Sequence, residues 1–243
     1  MQPHDFWQDL HPPASFTGGA SHSGFFPATL PDGRQIKLPI RPLSDGRHAL
    51  ASLIINQASF AVQDVLAKAL AERLRKVDPE IVIGLPTLGL TLASAVAREL
   101  GHSRFVALGT SRKFWYLDDL SVPMSSITTP DQIKRLYIDP RMLPLLEGRR
   151  IALIDDVISS GSSMLAGLRL LSSCGLAPMV LGVAMIQTPS TLSVSASAMI
   201  FTKPSGSWLI LARLLAVKGN LPFLYAMPAA FSWSSVWPTQ ATS

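Results

Sequence analysis

The 243 residues suffice to bury a substantial core, and the single cysteine, Cys174, excludes an intramolecular disulfide and a cysteine-cluster zinc site. Hydrophobic residues make up 48% of the chain, yet no apolar run reaches the ~20 residues that a membrane-spanning helix needs. All 16 acidic residues lie at or before Asp156, so the net charge of +5 reflects an acid-free C-terminal part. It does not reflect a basic stripe, and we expect binding to neither nucleic acid nor a membrane.

The chain begins with residues 1–24, which are rich in Gly, Ser, Pro and His and show little periodicity. This composition predicts a flexible or loosely docked N-terminal extension. The segment starts with acids and prolines where a secretion signal has a basic and then an apolar stretch, so we expect a cytoplasmic protein. Residues 25–40 predict a hairpin, because the turn formers at Leu30–Arg34 separate two short segments.

The next part of the chain predicts an α/β fold. Apolar side chains recur at three- and four-residue steps between about Ala49 and Val77, which is typical of a helix, and Pro79 ends it. Strands separated by helices need crossover connections, so we predict a doubly wound, mainly parallel sheet in a domain of residues 25–188. The predicted strands are 81–84, 105–108, 150–154 and 180–186, and the helices between them are 90–100 and 162–173.

Two segments show no clear period. Residues 109–148 form an unusually long connection for a compact sheet, and connections of this length usually have a function. We interpret them as a long flexible loop that covers an active site. Residues 189–243 mix isolated Trp, Pro and aliphatic residues and contain no acid. We treat them as an atypical C-terminal segment, for which a docking hood and a divergent tail both stay open.

The strongest chemical signal lies in Ile151–Ser163. An apolar strand leads into Asp155 and Asp156, and a turn rich in serine and glycine then opens a helix. Backbone N–H groups, hydroxyls and the positive end of a helix dipole can hold a phosphate, while adjacent carboxylates suit the hydroxyls of a ribose diol. The segment therefore predicts a ribose 5-phosphate site at the carboxyl edge of the sheet. Acids at a strand end before a serine N-cap are the structural alternative.

This segment resembles the signature with which type I phosphoribosyltransferases bind 5-phosphoribosyl-1-pyrophosphate (PRPP). Both have four apolar residues, two acids, two apolar residues and small hydroxylated residues around a glycine. The resemblance extends over about residues 49–187, and it implies that the acids bind the ribose hydroxyls while the following loop wraps the 5-phosphate. The implied PRPP-binding residues are Asp155, Asp156, Ser159, Ser160, Gly161, Ser162 and Ser163.

The resemblance also implies a pyrophosphate site. The turn Leu85–Gly89 stands where the family often has an unusual backbone conformation, although it lacks the arginine or lysine of some relatives. Basic residues past the next strand suit phosphate oxygens, unless they form a solvated pair. The implied pyrophosphate-binding residues are Thr87, Leu88, Gly89, Arg112 and Lys113, the implied catalytic residues are Asp155, Asp156, Arg112 and Lys113, and Tyr116, Asp118 and Asp119 lie in the implied mobile loop.

The implied reaction is displacement of pyrophosphate from PRPP by a ring nitrogen of a base. Mg²⁺ is the implied cofactor, bound mainly through PRPP oxygens and not by a protein cage. Ser159 stands where enzymes that act on 6-oxopurines have an aspartate, so an adenine-like or orotate-like acceptor is favoured. Homodimers are common in the family, so the resemblance implies that this protein forms a homodimer.

Three alternatives remain beside this hypothesis. A non-catalytic regulatory protein that senses PRPP would keep the same ligand site. A generic dinucleotide-binding domain is disfavoured, because no G-x-G-x-x-G turn follows the first strand. A C-terminal element that binds a membrane surface or a partner would need a basic amphipathic face, for which Lys203, Arg213 and Lys218 are too sparse.

Overall fold

The architecture is that of a computed structural model, which describes residues 1–16, 22, 24–42, 49–126, 129–159, 161–186 and 199–202. In chain order the strands are β1 (Phe25–Thr29), β2 (Gln35–Pro42), β3 (Ala49–Ala51), β4 (Ile81–Gly84), β5 (Val106–Ala107), β6 (Ser121–Ser126), β7 (Thr129–Tyr137), β8 (Ile151–Ile158), β9 (Val180–Ile186) and β10 (Met199–Thr202). The α-helices are α1 (Phe60–Leu74), α2 (Gly89–Glu99) and α3 (Ser162–Ser173). None of the described helices is both long and apolar enough to cross a membrane.

A five-stranded sheet forms the centre of the domain, in the order β10-β9-β8-β4-β5. The four strands β9, β8, β4 and β5 run parallel, and β10 pairs antiparallel with β9 at the edge. All four residues of β4 are buried, as expected for a strand with helices on both faces. The predicted α/β fold with a mainly parallel sheet is confirmed.

The helices cover both faces of this sheet. Ile154 of β8 belongs to the core cluster that includes buried residues of α1 and α2. Leu153, whose side chain points to the opposite face because successive residues of a strand alternate, lies against α3. A Cβ atom on Gly167 of α3 would come 3.1 Å from Leu153 and 2.9 Å from Leu85. This close packing holds the middle of α3 against Leu153 and Leu85.

Helix α1 begins later than the sequence predicts. Residues 49–51 form β3, which pairs antiparallel with β2, and a 3-10 turn at Ile55–Gln57 follows. Ser59 then caps α1, because its side-chain oxygen accepts a hydrogen bond from the Val62 backbone N–H at 3.4 Å. The prediction of a helix from about Ala49 is therefore wrong for its first turns, since strand pairing and this cap set the boundary.

The N-terminal part, for which a flexible or loosely docked extension of residues 1–24 was predicted, is docked on the domain over its described residues. Trp7 is 2% exposed and belongs to the main core cluster. Its indole N–H donates to the Ser52 carbonyl at 2.9 Å, and the Ser59 hydroxyl donates to the Gln8 carbonyl at 2.7 Å. A buried tryptophan with a satisfied indole N–H holds the segment in place. The predicted hairpin of residues 25–40 is present as β1 and β2.

The segment 109–148, predicted as a long flexible loop, contains regular structure. Strands β6 and β7 form an antiparallel hairpin that packs on α3. Met124 and Leu136 are buried in this hairpin. The sequence pattern missed it because Pro123 interrupts the first strand, and polar residues such as Gln132 and Lys134 interrupt the apolar pattern of the second.

Candidate active site

Strand β8 carries the acid pair further into the sheet than the sequence predicts. We expected the strand to end at Ile154, but it continues to Ile158, and Asp155 lies opposite Val183 of β9. Strand β4 ends at Gly84, opposite Ile154, and the Leu85 backbone N–H still donates to the Ile154 carbonyl at 2.9 Å. The two acids therefore come just beyond the end of β4, beside the turn that follows it.

Both carboxyl groups of the acid pair are buried, with Asp155 6% and Asp156 7% exposed. The Asp156 backbone N–H donates to the Asp155 carboxylate at 2.9 Å. Burial raises the pKa of Asp155 well above its usual range, and the neighbouring charge of Asp156 raises it further. Burial also raises the pKa of Asp156, which the hydrogen bond from Asp155 partly offsets. The pair can thus share a proton and present both a donor and an acceptor.

The first residue of α2 touches this acid pair. A Cβ atom on Gly89 would lie 2.6 Å from Asp155 Oδ1 and 2.9 Å from its Cα, so only glycine permits the observed approach. The turn before it contains the cis peptide bond Pro86–Thr87. The structure therefore brings Gly89 against Asp155 and Asp156, with Thr87 and Leu88 directly before it in the chain, and the N–H groups of the start of α2 lie at that point.

The turn behind the acids opens α3. Gly161 is the N-cap and has the left-handed conformation with φ of 79°, which favours glycine. Ser159 is exposed, and Ser162 and Ser163 form the half-buried first turn of the helix. Ser160, also predicted to bind phosphate, lies outside the described residues. The start of a twelve-residue helix supplies backbone N–H donors and a partial positive charge suited to a phosphate.

The predicted basic pair lies past the carboxyl end of β5, next to β4 at the same edge of the sheet. Arg112 and Lys113 are both exposed. Arg112 forms an ion pair with Asp118, with 2.9 Å between Nε and Oδ1. The structure thus joins Arg112 to one of the predicted loop residues, while Asp119 is exposed beside it. The fold puts the basic pair at the same sheet edge as the acid pair, without a direct contact that links the two.

A cluster that sequence reasoning missed lies beside this basic pair. The Trp115 indole N–H donates to Asp139 Oδ2 at 3.1 Å, and the Arg141 guanidinium lies over the Trp115 ring, 4.4 Å from its centroid. Arg141 also donates to the Asp139 carboxylate and lowers the pKa of Asp139 to about 2. The available signal was Asp139-Pro140-Arg141, in which an aspartate caps a 3-10 helix that begins with proline.

The aromatic residues of the predicted loop divide into two groups. Tyr116 packs on Tyr137 with ring centroids 5.9 Å apart, and burial raises its pKa. Phe114 is 93% exposed, although its ring edge meets Trp115 at 4.7 Å. Trp115 and Tyr116 therefore hold the segment down, and Phe114 projects from it.

Carboxyl oxygens are donors of the kind that Mg²⁺ prefers, so the acid pair suits that ion chemically. Within the described part of the chain, no three His, Cys, Asp or Glu side chains come together as a metal site. A cavity of about 450 Å³ lies elsewhere, lined by residues of the N-terminal segment together with Lys37. The residues that line this cavity do not include the acid pair.

Comparison with known proteins defines the family. Residues 54–208 match the phosphoribosyl transferase domain, which is more than half of the chain. The chain therefore belongs to the phosphoribosyl transferase domain family.

The chain is similar to an adenine phosphoribosyltransferase from Corynebacterium efficiens, with 32% identity over 130 residues. That match covers 52% of this chain and 61% of the relative, so the chain spans less than two thirds of the relative's length. Among solved structures, it is similar to the adenine phosphoribosyltransferase of Giardia lamblia, with a TM-score of 0.48, 21% identity and coverage of 60% and 78% of the two chains. It is also similar to the adenine phosphoribosyltransferase of Thermoanaerobacter pseudethanolicus, with a TM-score of 0.49, 16% identity and coverage of 61% and 83% of the two chains.

Proposed function

We propose that this protein transfers ribose 5-phosphate from PRPP to a nitrogenous base and releases pyrophosphate. The observation that carries the proposal is the contact between Gly89 and Asp155, since a Cβ at Gly89 would lie 2.6 Å from the carboxyl oxygen. The carboxyl pair suited to a ribose diol is therefore adjacent to a helix start suited to the pyrophosphate on the same sugar. Membership of the phosphoribosyl transferase domain family supports the same reaction.

In this proposal, different groups of residues bind different parts of PRPP. Asp155 and Asp156 hydrogen-bond the two ribose hydroxyls. Burial favours the protonated form of Asp155, in which a carboxyl group can donate as well as accept. The turn of Ser159–Ser163 binds the 5-phosphate through hydroxyls and backbone N–H groups. The start of α2 receives the departing pyrophosphate. The main contribution to catalysis is then orientation of the sugar and stabilisation of the leaving group.

Arg112 and Lys113 complete the pyrophosphate site in this proposal. Both are exposed at the sheet edge that carries the acid pair, and Arg112 exchanges Asp118 for phosphate oxygens when PRPP enters. An exposed ion pair is worth little in water, so this exchange costs little free energy. When bound with PRPP, Mg²⁺ would be held by pyrophosphate and ribose oxygens and would neutralise the negative charge of the leaving group.

The acceptor in this proposal is an adenine-like base. Ser159 takes the place at which a carboxylate would be needed for a 6-oxopurine. The similarity to an adenine phosphoribosyltransferase favours adenine over orotate.

The test is a pyrophosphate-release assay with PRPP, Mg²⁺ and a panel of adenine, hypoxanthine, guanine and orotate. We expect release with adenine and little or none with hypoxanthine or guanine. Release with hypoxanthine as fast as with adenine would refute the acceptor assignment. Absence of release with every base would refute the proposed transfer reaction, whether or not PRPP binds.

A PRPP-sensing regulatory protein is the second candidate. It is favoured by the turn 85–89, which has no basic side chain, and by the ion pair that occupies Arg112. This candidate predicts Mg²⁺-dependent PRPP binding in calorimetry but no pyrophosphate release with any base. The same two measurements therefore separate the enzyme from the sensor.

A further inference from the structure

The segment of residues 109–120 is fixed at both of its ends. Gly109 and Tyr137 exchange backbone hydrogen bonds of 3.0 and 2.8 Å, and the Ile138 N–H donates to the Leu120 carbonyl at 3.3 Å. Between these two points the chain leaves the edge of β5, carries Arg112 and Lys113, and returns to β6. Both ends are hydrogen-bonded to Tyr137 and Ile138, where β7 ends, so the segment is a loop that is closed at its base.

One interaction fixes the middle of this loop. Trp115 reaches Asp139 through its indole N–H at 3.1 Å, two residues past the end of β7. Asp139 is itself oriented by Arg141, whose backbone N–H and Nε donate to Oδ1 at 3.0 and 2.9 Å. The Arg141 guanidinium then covers the face of Trp115 at 4.4 Å, a cation–π contact. The three side chains form a closed arrangement, in which each contacts the other two.

This arrangement, the Trp115–Asp139–Arg141 clamp, is joined to the basic pair through a short stretch of backbone. Lys113 is two residues from Trp115, and the Tyr116 N–H donates to the Lys113 carbonyl at 3.0 Å, which closes a tight turn between them. Trp115 thus lies inside the turn that begins at Lys113, so the clamp and the basic pair share one short, hydrogen-bonded stretch of backbone. The Asp139 carboxyl group remains ionised at neutral pH because Arg141 lowers its pKa to about 2.

We propose that the Trp115–Asp139–Arg141 clamp is a positioning device that sets Arg112 and Lys113 for the pyrophosphate group. This inference rests on the proposed function. Trp115 acts through the basic pair and does not touch the ligand. The clamp serves the pyrophosphate half of the site, whereas Asp155, Asp156 and the start of α3 serve the ribose 5-phosphate half.

The test compares two ligands in calorimetry, ribose 5-phosphate and pyrophosphate with Mg²⁺. Trp115→Phe keeps an aromatic ring on Arg141 but removes the indole N–H that reaches Asp139. We expect roughly a 10- to 100-fold loss of pyrophosphate affinity, the range that misplacement of positioning groups produces. Affinity for ribose 5-phosphate should change by less than about twofold, since independent sites do not couple.

A matched control and a second background make the test specific. Trp7→Phe also removes an indole N–H hydrogen bond, to Ser52, in the N-terminal segment, and should leave pyrophosphate affinity unchanged. In an Arg112→Ala/Lys113→Ala background, Trp115→Phe should add less than about a twofold loss, because the groups it positions are gone. If Trp115→Phe fails to fold, Asp139→Asn replaces it with the same expected selectivity.

The outcomes separate this inference from the proposed function. A wild-type protein that binds neither ligand refutes both. Binding of both ligands by the wild-type protein is consistent with the proposed function, whatever the variant does. Equal loss of both ligands in Trp115→Phe, no loss of either, or a further loss beyond that of the double alanine variant would overturn the positioning role.

Discussion

At the scale of single residues, the acid pair is the most informative feature. Two adjacent carboxyl groups at 6% and 7% exposure would be costly if both were charged without partners. Burial raises the pKa of both groups, which favours their uncharged forms and so reduces this cost. A ligand that offers hydroxyl groups can satisfy both forms of such a pair, which is why a diol suits it.

The raised pKa of Asp155 predicts a pH dependence of stability. Because its pKa is higher in the folded than in the unfolded state, its favourable contribution is complete below the unfolded value of roughly 3.9 and is lost as pH rises through the folded value. Asp155→Asn mimics the protonated group and avoids that loss. We expect the melting temperature of the variant to gain on wild type as pH rises above the unfolded value of roughly 3.9. A difference that is constant or that shrinks with rising pH would contradict the raised pKa.

Gly89 gives a second prediction at this scale. A Cβ atom would lie 2.6 Å from the Asp155 carboxyl oxygen and 2.9 Å from backbone, so the neighbours have to move. We expect Gly89→Ala to lower the free energy of unfolding by about 1–3 kcal/mol, measured by urea denaturation, and to weaken PRPP binding.

The matched control for this prediction is Gly109→Ala, since a Cβ there meets nothing within 4 Å. This substitution should leave both stability and PRPP affinity near the wild-type values. Equal effects of the two alanine substitutions would show that the close approach of α2 to Asp155 has no special role.

At the scale of elements, the start of α3 combines a left-handed N-cap with the predicted phosphate turn. Gly161 has φ of 79° and Gly175, after the end of the same helix, has φ of 71°. Alanine at either position should cost roughly 1–2 kcal/mol of stability, because a side chain is disfavoured in that conformation. Only Gly161→Ala should also weaken binding of ribose 5-phosphate in calorimetry. Retained affinity in Gly161→Ala, or an equal loss in Gly175→Ala, would argue against a phosphate site at this turn.

The buried elements of the sheet were predictable from the sequence. Strands β4 and β9 and helix α3 have the boundaries that the sequence predicts, because continuous apolar runs and clear periods define them. For strand β8 the sequence predicted an end at Ile154, because two adjacent acids normally end a buried strand. Its extension depends on pairing with β9, which cannot be seen in local sequence.

Parts of the site were not predictable for a similar reason. The Trp115–Asp139 hydrogen bond joins residues 24 positions apart. The hairpin between them is hard to predict from the sequence, because Pro123 interrupts its first strand. The motif at Asp155–Ser163 is local and could be found, whereas the clamp is formed only by tertiary contacts. The sequence predicted the turn at Gly89, but not that the glycine touches Asp155.

At the scale of the whole domain, the N-terminal segment contributes to the main core. Trp7 packs in the cluster that also contains residues of α1, α2 and the central sheet. We expect Trp7→Ala to lower the free energy of unfolding by about 3–5 kcal/mol, as for other buried large aromatic residues. Urea denaturation followed by circular dichroism measures this change. A loss below about 1 kcal/mol would restore the flexible extension predicted from composition.

The measurement that tests the central assignment most directly is calorimetric titration of wild type and Asp156→Asn with PRPP in the presence of Mg²⁺. The ribose-binding role of the acid pair predicts Mg²⁺-dependent binding to the wild type. The variant should bind more weakly by roughly 1.5–3 kcal/mol, the value of a hydrogen bond to a charged group, or about 10- to 150-fold in Kd. Wild-type protein without affinity for PRPP, or an Asp156→Asn variant that binds as tightly as wild type, would contradict the assignment.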